Sequence, residues 1–243
     1  KYSKATKFYY RPFDTRYTIF DNNILQRARF KLMNNYVLGE NLGLNIVRQS
    51  KQKGIEVLIS NNLSNRDFIT NHTYNFPLYL YPETTGQQII GQSIERAPNL
   101  STEIVKQLAD KLGLTFTNEQ ETTKDTFAPI DILDYIYAVL HSPTYREKYK
   151  EFLKIDFPRI PYPKDQDTFW KLVKLGGELR QIHLLESPVV ENYITSYPMH
   201  GKNQVDKIKY EDQKVWINES QYFNKAVSYT HLRAHETVLD IVC

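Results

Sequence analysis

Arginine, acid and aromatic side chains alternate near the beginning of the chain. Residues 9–21 read YYRPFDTRYTIFD, which places Arg11, Asp14 and Arg16 among five aromatic rings. A guanidinium donates in a fixed fork that fits a carboxylate, a phosphate or a guanine edge. Two interpretations are therefore open. Either the arginines pair with Asp14 inside a strand-and-turn segment, or Arg11 and Arg16 form a basic, aromatic surface that meets phosphates and bases.

Two further polar segments carry side chains that fit base edges. Arg48 and Gln49 end an apolar run, and the loop SNNLSNRDFITNH at 60–72 is rich in Asn. Arg fits guanine, Asn and Gln fit adenine, and Asp accepts from cytosine. The predicted DNA contacts are therefore Arg11, Arg16, Arg48, Gln49, Asn61, Asn62, Asn65, Arg66 and Asp67. The alternatives are a structural salt bridge for Arg48 and an ordinary turn for the loop, because Asn and Ser also favour turns.

Charge is distributed unevenly along the 243 residues, although the net charge is only +3. Residues 1–53 hold eleven basic and three acidic residues, whereas residues 54–141 hold five basic and eleven acidic residues. A segregated basic region is typical of proteins that bind a polyanion. The acidic segment could equally neutralise the basic one within the fold, so charge alone leaves both readings open.

Sequence motifs for catalysis are missing. The nine glycines form neither a dinucleotide-binding motif nor a phosphate-binding loop, and the four histidines before residue 227 are scattered. Asp131 and Asp134 lie one helical turn apart and could chelate a metal, but acids at a helix N-terminus are favoured without any metal. Ser142 beside His141 is better explained as a helix cap. We therefore predict no catalytic residue and no metal site in this chain. Its one cysteine, Cys243, excludes a disulfide framework and fits a reducing cytoplasm.

The pattern of apolar residues predicts a β-rich first part. Short apolar runs at 17–21, 43–50, 55–60 and 76–82 lie between Asn, Gly and Pro residues and are typical of strands. Helical spacing of Leu25, Ala28, Leu32 and Tyr36 predicts one helix over 25–38, ended by Gly39.

Helices are predicted over the middle of the chain. A first helix starts at Ser101 and stops at Gly113, with an apolar stripe of Ile104, Leu108 and Leu112. A second follows Pro129, and a third begins with Ser142 as cap and Pro143 in its first turn. Three prolines within 158–163 predict an extended connector. A last helix over 167–186 carries two adjacent glycines at 176–177, which predict a kink or a break.

Together these elements predict an α+β fold in which a β-rich N-terminal lobe packs with a helical C-terminal lobe. The predicted boundaries are 8–100 for the β-rich lobe, 101–186 for the helical lobe and 187–226 for a final segment. That segment contains a hairpin, KIKYEDQKVWINE, whose turn is expected at 211–214.

Five segments carry a resemblance to a known family, in the order in which that family has them. They are YYRPFDTRYTIFD (9–21), ENLGLNIVRQS (40–50), FAPIDILDYIYAVLHSPTYREKYKEFLKIDFPRIPYP (127–163), FWKLVKLGGELRQIHLLESP (169–188) and VWINESQYF (215–223). The chain over 8–226 thereby resembles the C-terminal specificity domain, or target-recognition domain, of type ISP restriction–modification enzymes. Similar regions occur in type IIG enzymes and in phage-defence adenine methyltransferases. The stretch at 127–163 is the most specific part of this resemblance.

The resemblance implies a function in DNA recognition. The chain is expected to read a short sequence in double-stranded DNA and to present it to an upstream, covalently linked adenine DNA methyltransferase that flips its target base. The parent enzyme is expected to use S-adenosylmethionine, with ATP and Mg²⁺ in further upstream domains, and to reside in a prokaryotic cytoplasm without membrane contact. The fragment itself is expected to bind no cofactor. The alternative is a protein–protein docking module in a phage-defence complex, whose basic segment meets an acidic partner. A stand-alone nuclease would need an acidic metal site that the sequence does not offer.

The last 17 residues depart from the family. From residue 227 the chain reads VSYTHLRAHETVLDIVC, which resembles translated sequencing-adapter read-through. We treat 227–243 as a non-native tail and take 1–226 as the target-recognition domain.

Overall fold

The computed structural model describes residues 5–25, 28–49, 56–69, 72–82, 95–123 and 125–226. Helices and short sheets are mixed along the chain, which confirms the α+β class. The predicted lobe boundaries remain a prediction, and the tail at 227–243 lies outside the described residues.

Two small sheets form most of the first lobe. The first has the order β2-β1-β5 and the second the order β4-β3-β6. Their strands are β1 (Ala5–Arg11), β2 (Asp14–Ile19), β3 (Gly43–Val47), β4 (Val57–Ser60), β5 (Leu63–Ser64) and β6 (Thr73–Pro77). Strands β4 and β5 follow each other directly but belong to different sheets, so the chain crosses from one sheet to the other at residues 61–62. The strands predicted at 43–50 and 55–60 are present as β3 and β4, which cover 43–47 and 57–60.

A buried polar network holds these two sheets together. Asn45 on β3 is completely buried, and its amide nitrogen donates to Ser60 Oγ on β4 at 2.8 Å and to the Gly43 carbonyl at 3.1 Å. Its amide oxygen accepts from Ser64 Oγ on β5 at 3.0 Å and from the Asn75 amide on β6 at 2.9 Å. Because buried amides are costly unless they are hydrogen-bonded, this network favours one register of four strands over the alternatives.

The helix predicted over 25–38 is much shorter in the structure. Only α1 (Phe30–Met33) and a 3-10 turn (Asn34–Tyr36) are helical, and residues 26–27 lie outside the described part of the chain. Arg29 precedes the helix with φ 48°, a left-handed conformation that starts the helix there. Buried Asn41 explains part of this difference between the predicted and the observed helix. Its amide donates to the backbone oxygens of Asn35 and Tyr79 and so fixes the chain that follows the helix against residue 79.

Four short strands form two further pairs. They are β7 (Tyr79–Leu80), β8 (Ala97–Pro98), β9 (Thr115–Phe116) and β10 (Thr126–Phe127). Strand β7 pairs with β8 in antiparallel fashion, and β9 pairs with β10 in parallel.

The four helices predicted for the second lobe are present, and α5 spans 166–183 rather than the predicted 167–186. They are α2 (Thr102–Leu112), α3 (Pro129–His141), α4 (Pro143–Leu153) and α5 (Gln166–His183). Ser101 and Ser142 accept from the backbone at Ile104 and Tyr145, and Gly113 closes α2 with φ 65°. The predicted stripe of α2 is corrected at one position, because Val105 is buried with Leu108 and Leu112 while Ile104 is 55% exposed.

Helix α5 is continuous through its two glycines, so the predicted break is wrong, while a kink there stays a prediction. Gly176 is instead the point where α5 touches α3. A Cβ atom at residue 176 would stand 1.9 Å from the backbone oxygen of Asp134 and 3.2 Å from the nitrogen of Ala138. The glycine therefore permits close contact between the backbones of two helices, which is a packing role that a glycine can have within a helix.

The core lies between α3, α5 and strand β4. Phe127, Tyr137, Tyr145 and Phe169 are among its largest buried side chains. The connector at 157–163 has no regular secondary structure, as its prolines predict, and the Tyr145 hydroxyl donates to the Arg159 carbonyl in it at 2.8 Å.

Buried charges at α3 and α5 are paired. Arg180 donates to both carboxylate oxygens of Asp134 at 2.7 and 3.0 Å, and both side chains are largely buried. Burial raises the pKa of Asp134 against the lowering effect of Arg180. Nearby, the Tyr137 hydroxyl meets His183 Nδ1 at 2.5 Å, and burial lowers the pKa of His183 to about 4.

The final segment folds around one buried amide. It contains a 3-10 turn (Pro188–Glu191) and the sheet of β11 (Lys209–Glu211), β12 (Lys214–Trp216) and β13 (Tyr222–Asn224), which confirms the predicted hairpin. Gln221 is 1% exposed and bonds to residues 199, 203 and 218. Over the ranges that are described, no helix is both long and apolar enough to cross a membrane.

Candidate nucleic-acid interface

The β1–β2 hairpin carries the first two predicted arginines. Arg11 and Asp14 face each other at its end, with Pro12 and Phe13 between them as the turn. The register shifts between Tyr9 and Arg11, so Tyr10 forms an irregularity in the strand. Bulges of this kind change the direction of a neighbouring side chain.

Arg16 is held by its own hairpin. Its Nε and Nη2 donate to the Asp14 carboxylate, the shortest distance being 2.8 Å, and its guanidinium carbon lies 3.9 Å from the centre of the Tyr10 ring. The hydrogen bond from Arg16 lowers the pKa of Asp14. The pairing of Arg16 with Asp14, which was one of the two interpretations of the sequence, is therefore present in the structure. The side chain is still 53% exposed, so its cation is oriented rather than hidden.

Arg11 joins the hairpin to the polar loop. Its Nη1 donates to the backbone oxygen of Asp67 and, at 3.3 Å, to that of Tyr10. The guanidinium carbon lies 4.9 Å from the centre of the Tyr10 ring. Arg11 is thereby a positioning residue for the loop, a role that neither sequence interpretation included.

Strand β1 also holds the loop at 61–69 in place, through hydrogen bonds and an aromatic contact. The Tyr9 hydroxyl donates to Asn61 Oδ1 at 2.8 Å, and the Tyr9 carbonyl accepts from the backbone of Asn65 at 2.9 Å. Phe68 is 2% exposed and packs on the Tyr9 ring at 5.5 Å. Tyr9 and Phe68 thus fix both ends of the loop that begins at Asn61. Sequence reasoning missed this role, although Tyr9 and Tyr10 in a strand segment were the available signal.

Most polar side chains of the loop are used within the protein. Asn61 also donates to Glu186 at 2.9 Å, and Asn62 donates to Asn61 at 2.7 Å. Asn65 accepts from the backbone of Asp67 at 3.0 Å, which closes a turn of the kind that the alternative reading expected. Asp67 Oδ1 accepts from the backbone of residue 72 at 3.2 Å. These bonds preorganise the loop.

Arg66 differs from the other polar residues of the loop. Its side chain is exposed and makes no hydrogen bond or ion pair with the described residues. Its backbone carbonyl accepts from Thr73 at 2.8 Å, which fixes the main chain while the side chain stays free. Residues 70–71 of the predicted loop lie outside the described residues.

Arg48 and Gln49 contact the helical lobe rather than the loop. Arg48 Nε donates to Asp156 at 2.9 Å, and Gln49 donates to the Ile155 carbonyl at 3.1 Å. The salt bridge that was the alternative for Arg48 is therefore present. Both side chains are exposed, and their predicted DNA contacts remain a prediction.

Acids and histidines of α3 have structural partners. Asp131 accepts from the backbone of Ala128 at 2.8 Å, and Asp134 pairs with Arg180. His141 is buried, and its Nδ1 lies 2.9 Å from the Tyr137 carbonyl. Within the part of the chain that the structure describes, no group of three or more His, Cys, Asp or Glu residues could hold a metal ion.

Solved structures of complexes with DNA match the fold of this chain. The ATP-dependent Type ISP restriction-modification enzyme LlaBIII bound to DNA matches with a TM-score of 0.67 and 21% identity, over 93% of this chain and 14% of that one. The DrdV–DNA complex matches with 0.65 and 23% identity, over 91% and 21%. A nuclease-deletion mutant of the Type ISP enzyme LlaGI with a DNA substrate mimic matches with 0.60 and 25% identity, over 92% and 18%. This chain thus spans only about a fifth or less of each matched chain.

The sequence itself matches a family model. The comparison with curated proteins gave no match. The model of the type ISP C-terminal specificity domain matches residues 1–227, which includes the hairpin, the loop and the helical lobe. The chain therefore belongs to the family of type ISP C-terminal specificity domains.

Proposed function

We propose that this chain reads a short sequence of double-stranded DNA with the joined surface of the β1–β2 hairpin and the loop at 61–69. The observation that carries the proposal is the junction itself, in which Arg11 binds the Asp67 carbonyl and Tyr9 binds Asn61. Residues 52 and 56 positions apart in sequence thereby form one rigid, basic and aromatic surface. Rigid support is what base recognition requires, because a reader must be placed within a fraction of an ångström.

The cations of this surface divide into two kinds. Arg16 is oriented by Asp14 and Tyr10, which suits contact with a fixed phosphate. Arg66 is exposed at the centre of a preorganised loop, and an arginine fork of this kind suits the O6 and N7 atoms of guanine. Asn62 is the second candidate reader, since it lies on the same preorganised loop and an amide can pair with adenine.

The complete enzyme is proposed to be an adenine-specific DNA methyltransferase that uses S-adenosylmethionine and directs its chemistry through this domain. ATP- and Mg²⁺-dependent cleavage of unmodified DNA is proposed for further domains, and a cytoplasmic location follows from that role. The family membership of the chain supports these proposals. The residues of the β1–β2 hairpin and of the loop at 61–69 are proposed to bind and position DNA and to perform no chemical step.

Exposed apolar side chains between residues 185 and 194 favour a second role beside DNA reading. Leu185, Val189, Tyr193 and Ile194 are between 57% and 78% exposed, although they are close in sequence. Exposed apolar side chains in such a group are typical of a protein contact. This observation favours the docking alternative for residues 185–194, on a segment separate from the hairpin.

Salt dependence tests the main proposal. The full chain is incubated with a randomised 30-base-pair duplex pool, bound duplexes are selected and sequenced, and the affinity of the selected duplex is measured from low to high salt. A DNA reader enriches a motif, and its logarithmic affinity falls with a slope of about −0.9 per neutralised phosphate. Enrichment of no motif, with no affinity for duplex DNA at low salt, contradicts the proposal and favours docking to a protein.

Methylome sequencing tests the proposal for the complete enzyme. Cells that express the full-length gene are expected to contain modified adenine in one asymmetric motif, which single-molecule sequencing detects. Exchange of residues 60–72 is expected to change that motif without abolishing methylation. Unmodified adenine throughout, with the catalytic domain intact, would remove the main support for the reader role.

A further inference from the structure

The turn of the β1–β2 hairpin contains a residue that does not suit its backbone. Pro12 fixes a negative φ, and Phe13 follows with φ 64°. This combination is common in type II turns, where the second position is usually glycine because a Cβ atom is unfavourable there. A bulky aromatic residue at positive φ is a true outlier, and such outliers concentrate at functional sites.

Burial does not compensate for this conformation. The Phe13 side chain is 54% exposed at the tip of the hairpin. Over the described ranges its ring takes part in no aromatic pair and no cation–π contact, whereas the neighbouring Tyr10 ring contacts two guanidiniums. The fold therefore gains little from an aromatic ring at residue 13.

The surroundings of Phe13 point to a polyanion with an apolar interior. Arg11 and Asp14 are its neighbours across the turn, and Arg16 lies two residues further along β2. Arg11 binds the hairpin to the loop that contains Arg66, so the exposed ring stands at the edge of the proposed DNA surface. Proteins that kink DNA insert Phe, Leu, Ile, Met or Pro between base steps while cations hold the flanking phosphates.

We infer that Phe13 is a wedge that enters the base stack of bound duplex DNA at the edge of the recognised site. The inference rests on the proposed function and adds a mechanical role to it. Partial unstacking beside the target sequence would make the DNA easier to deform there, which gives specificity at a position that no side chain reads directly.

Turn-compatible variants separate the wedge from the fold. Phe13→Gly and Phe13→Asn remove the ring and suit the positive φ, so their melting temperatures are expected to equal or exceed that of the wild type. Phe13→Leu keeps an apolar wedge. Tyr17→Ala is the matched control, because Tyr17 is an aromatic residue on the same hairpin with 68% exposure but lies on β2, away from the tip.

Duplexes with one weakened step provide the measurement. The probes are copies of the duplex selected by the wild-type chain, each with a single mismatch or a single 2-aminopurine at successive positions. At one edge position, a mismatch is expected to raise the affinity of the wild type, Phe13→Leu and Tyr17→Ala about tenfold, because unstacking then costs less. The 2-aminopurine fluorescence is expected to rise at the same position. Phe13→Gly and Phe13→Asn should show neither effect.

Each outcome has a distinct meaning. If Phe13→Gly keeps the mismatch preference and the fluorescence change, the wedge is refuted while DNA recognition stands. If Tyr17→Ala loses them as completely as Phe13→Gly, the effect belongs to the hairpin surface in general and the wedge is refuted as well. If the wild-type chain binds no duplex, the proposed function fails first and the wedge fails with it.

Discussion

Replacement of Gly176 by alanine tests the contact between α3 and α5. An added Cβ atom would stand 1.9 Å from the Asp134 carbonyl oxygen and 2.7 Å from its carbon, both of them backbone atoms. Carbon atoms need roughly 3.5 Å, so the two helices would have to separate by about 1.5 Å at this point. A backbone cannot rotate away as the end of a side chain can.

The expected magnitude combines two opposing effects. Alanine in a helix is more favourable than glycine by about 1 kcal/mol. Overpacking in a core costs about 1–3 kcal/mol and occasionally more, and the upper end applies here because two buried backbones collide. We therefore expect Gly176→Ala to lower the free energy of unfolding by about 2 kcal/mol. For a chain of this size the melting temperature should fall by about 4–8 °C.

Gly177 offers a matched control in the same helix. A Cβ atom there would stand 3.0 Å from Asp134 Oδ2, so the carboxylate that Arg180 holds has to move by only a few tenths of an ångström. The gain in helix propensity offsets this contact, so Gly177→Ala is expected within about 1 kcal/mol of the wild type. Thermal unfolding followed by circular dichroism measures both variants. A Gly176→Ala chain as stable as the wild type would refute the close contact, and equal losses in both variants would refute the distinction between the two glycines.

Three further predictions concern the loop and the buried charges. Arg66→Ala should weaken binding of the selected duplex by about 1–3 kcal/mol and relax the preference at one base position. Arg159→Ala is the control at an exposed arginine. An equal loss of affinity on all duplexes would make Arg66 a phosphate contact. Because burial lowers the pKa of His183 to about 4, the unfolded chain binds a proton first, and stability should fall by up to about 3 kcal/mol as the pH drops from about 6.5 to 4. Urea unfolding at pH 5 and 7 measures this, and a flat wild-type profile contradicts it. His183→Gln should weaken the pH dependence without removing it, because burial also lowers the pKa of His141. Arg180→Met leaves buried Asp134 without its partner and should lower the free energy of unfolding, measured with urea, by about 3–5 kcal/mol. The double variant with Asp134→Leu should restore most of this loss. An Arg180→Met chain as stable as the wild type contradicts this.

Local signals predicted the elements whose ends are set by neighbouring residues. Ser101 and Gly113 bound α2, and Ser142 with Pro143 starts α4, because a cap satisfies backbone groups within one turn. The hairpin at 209–216 follows from alternation over a few residues. The fold class needed no more than these patterns.

Long-range contacts decided what the sequence could not. The helix expected from residue 25 starts only at Phe30, and Gly176 permits contact with a neighbouring helix rather than ending its own helix. The same holds for the candidate site. Arg11 and Arg66 were recognisable as arginines of a basic segment and a polar loop, but the bond from Arg11 to the Asp67 carbonyl depends on how β1 and β5 pair.

The network around Asn45 has a consequence for changing what this domain recognises. Ser60 and Ser64, which bond to Asn45, lie on the two strands that flank the chain crossing at 61–62, so the stem of the loop is fixed by buried residues. Substitution of one network member would leave another buried polar atom unpaired, and such positions tolerate only coordinated changes. Asn62 and Arg66 belong to the loop but not to this network. A variant library that randomises Asn62 and Arg66 while it keeps the network constant should therefore yield folded proteins with altered target preference far more often than one that randomises the whole segment.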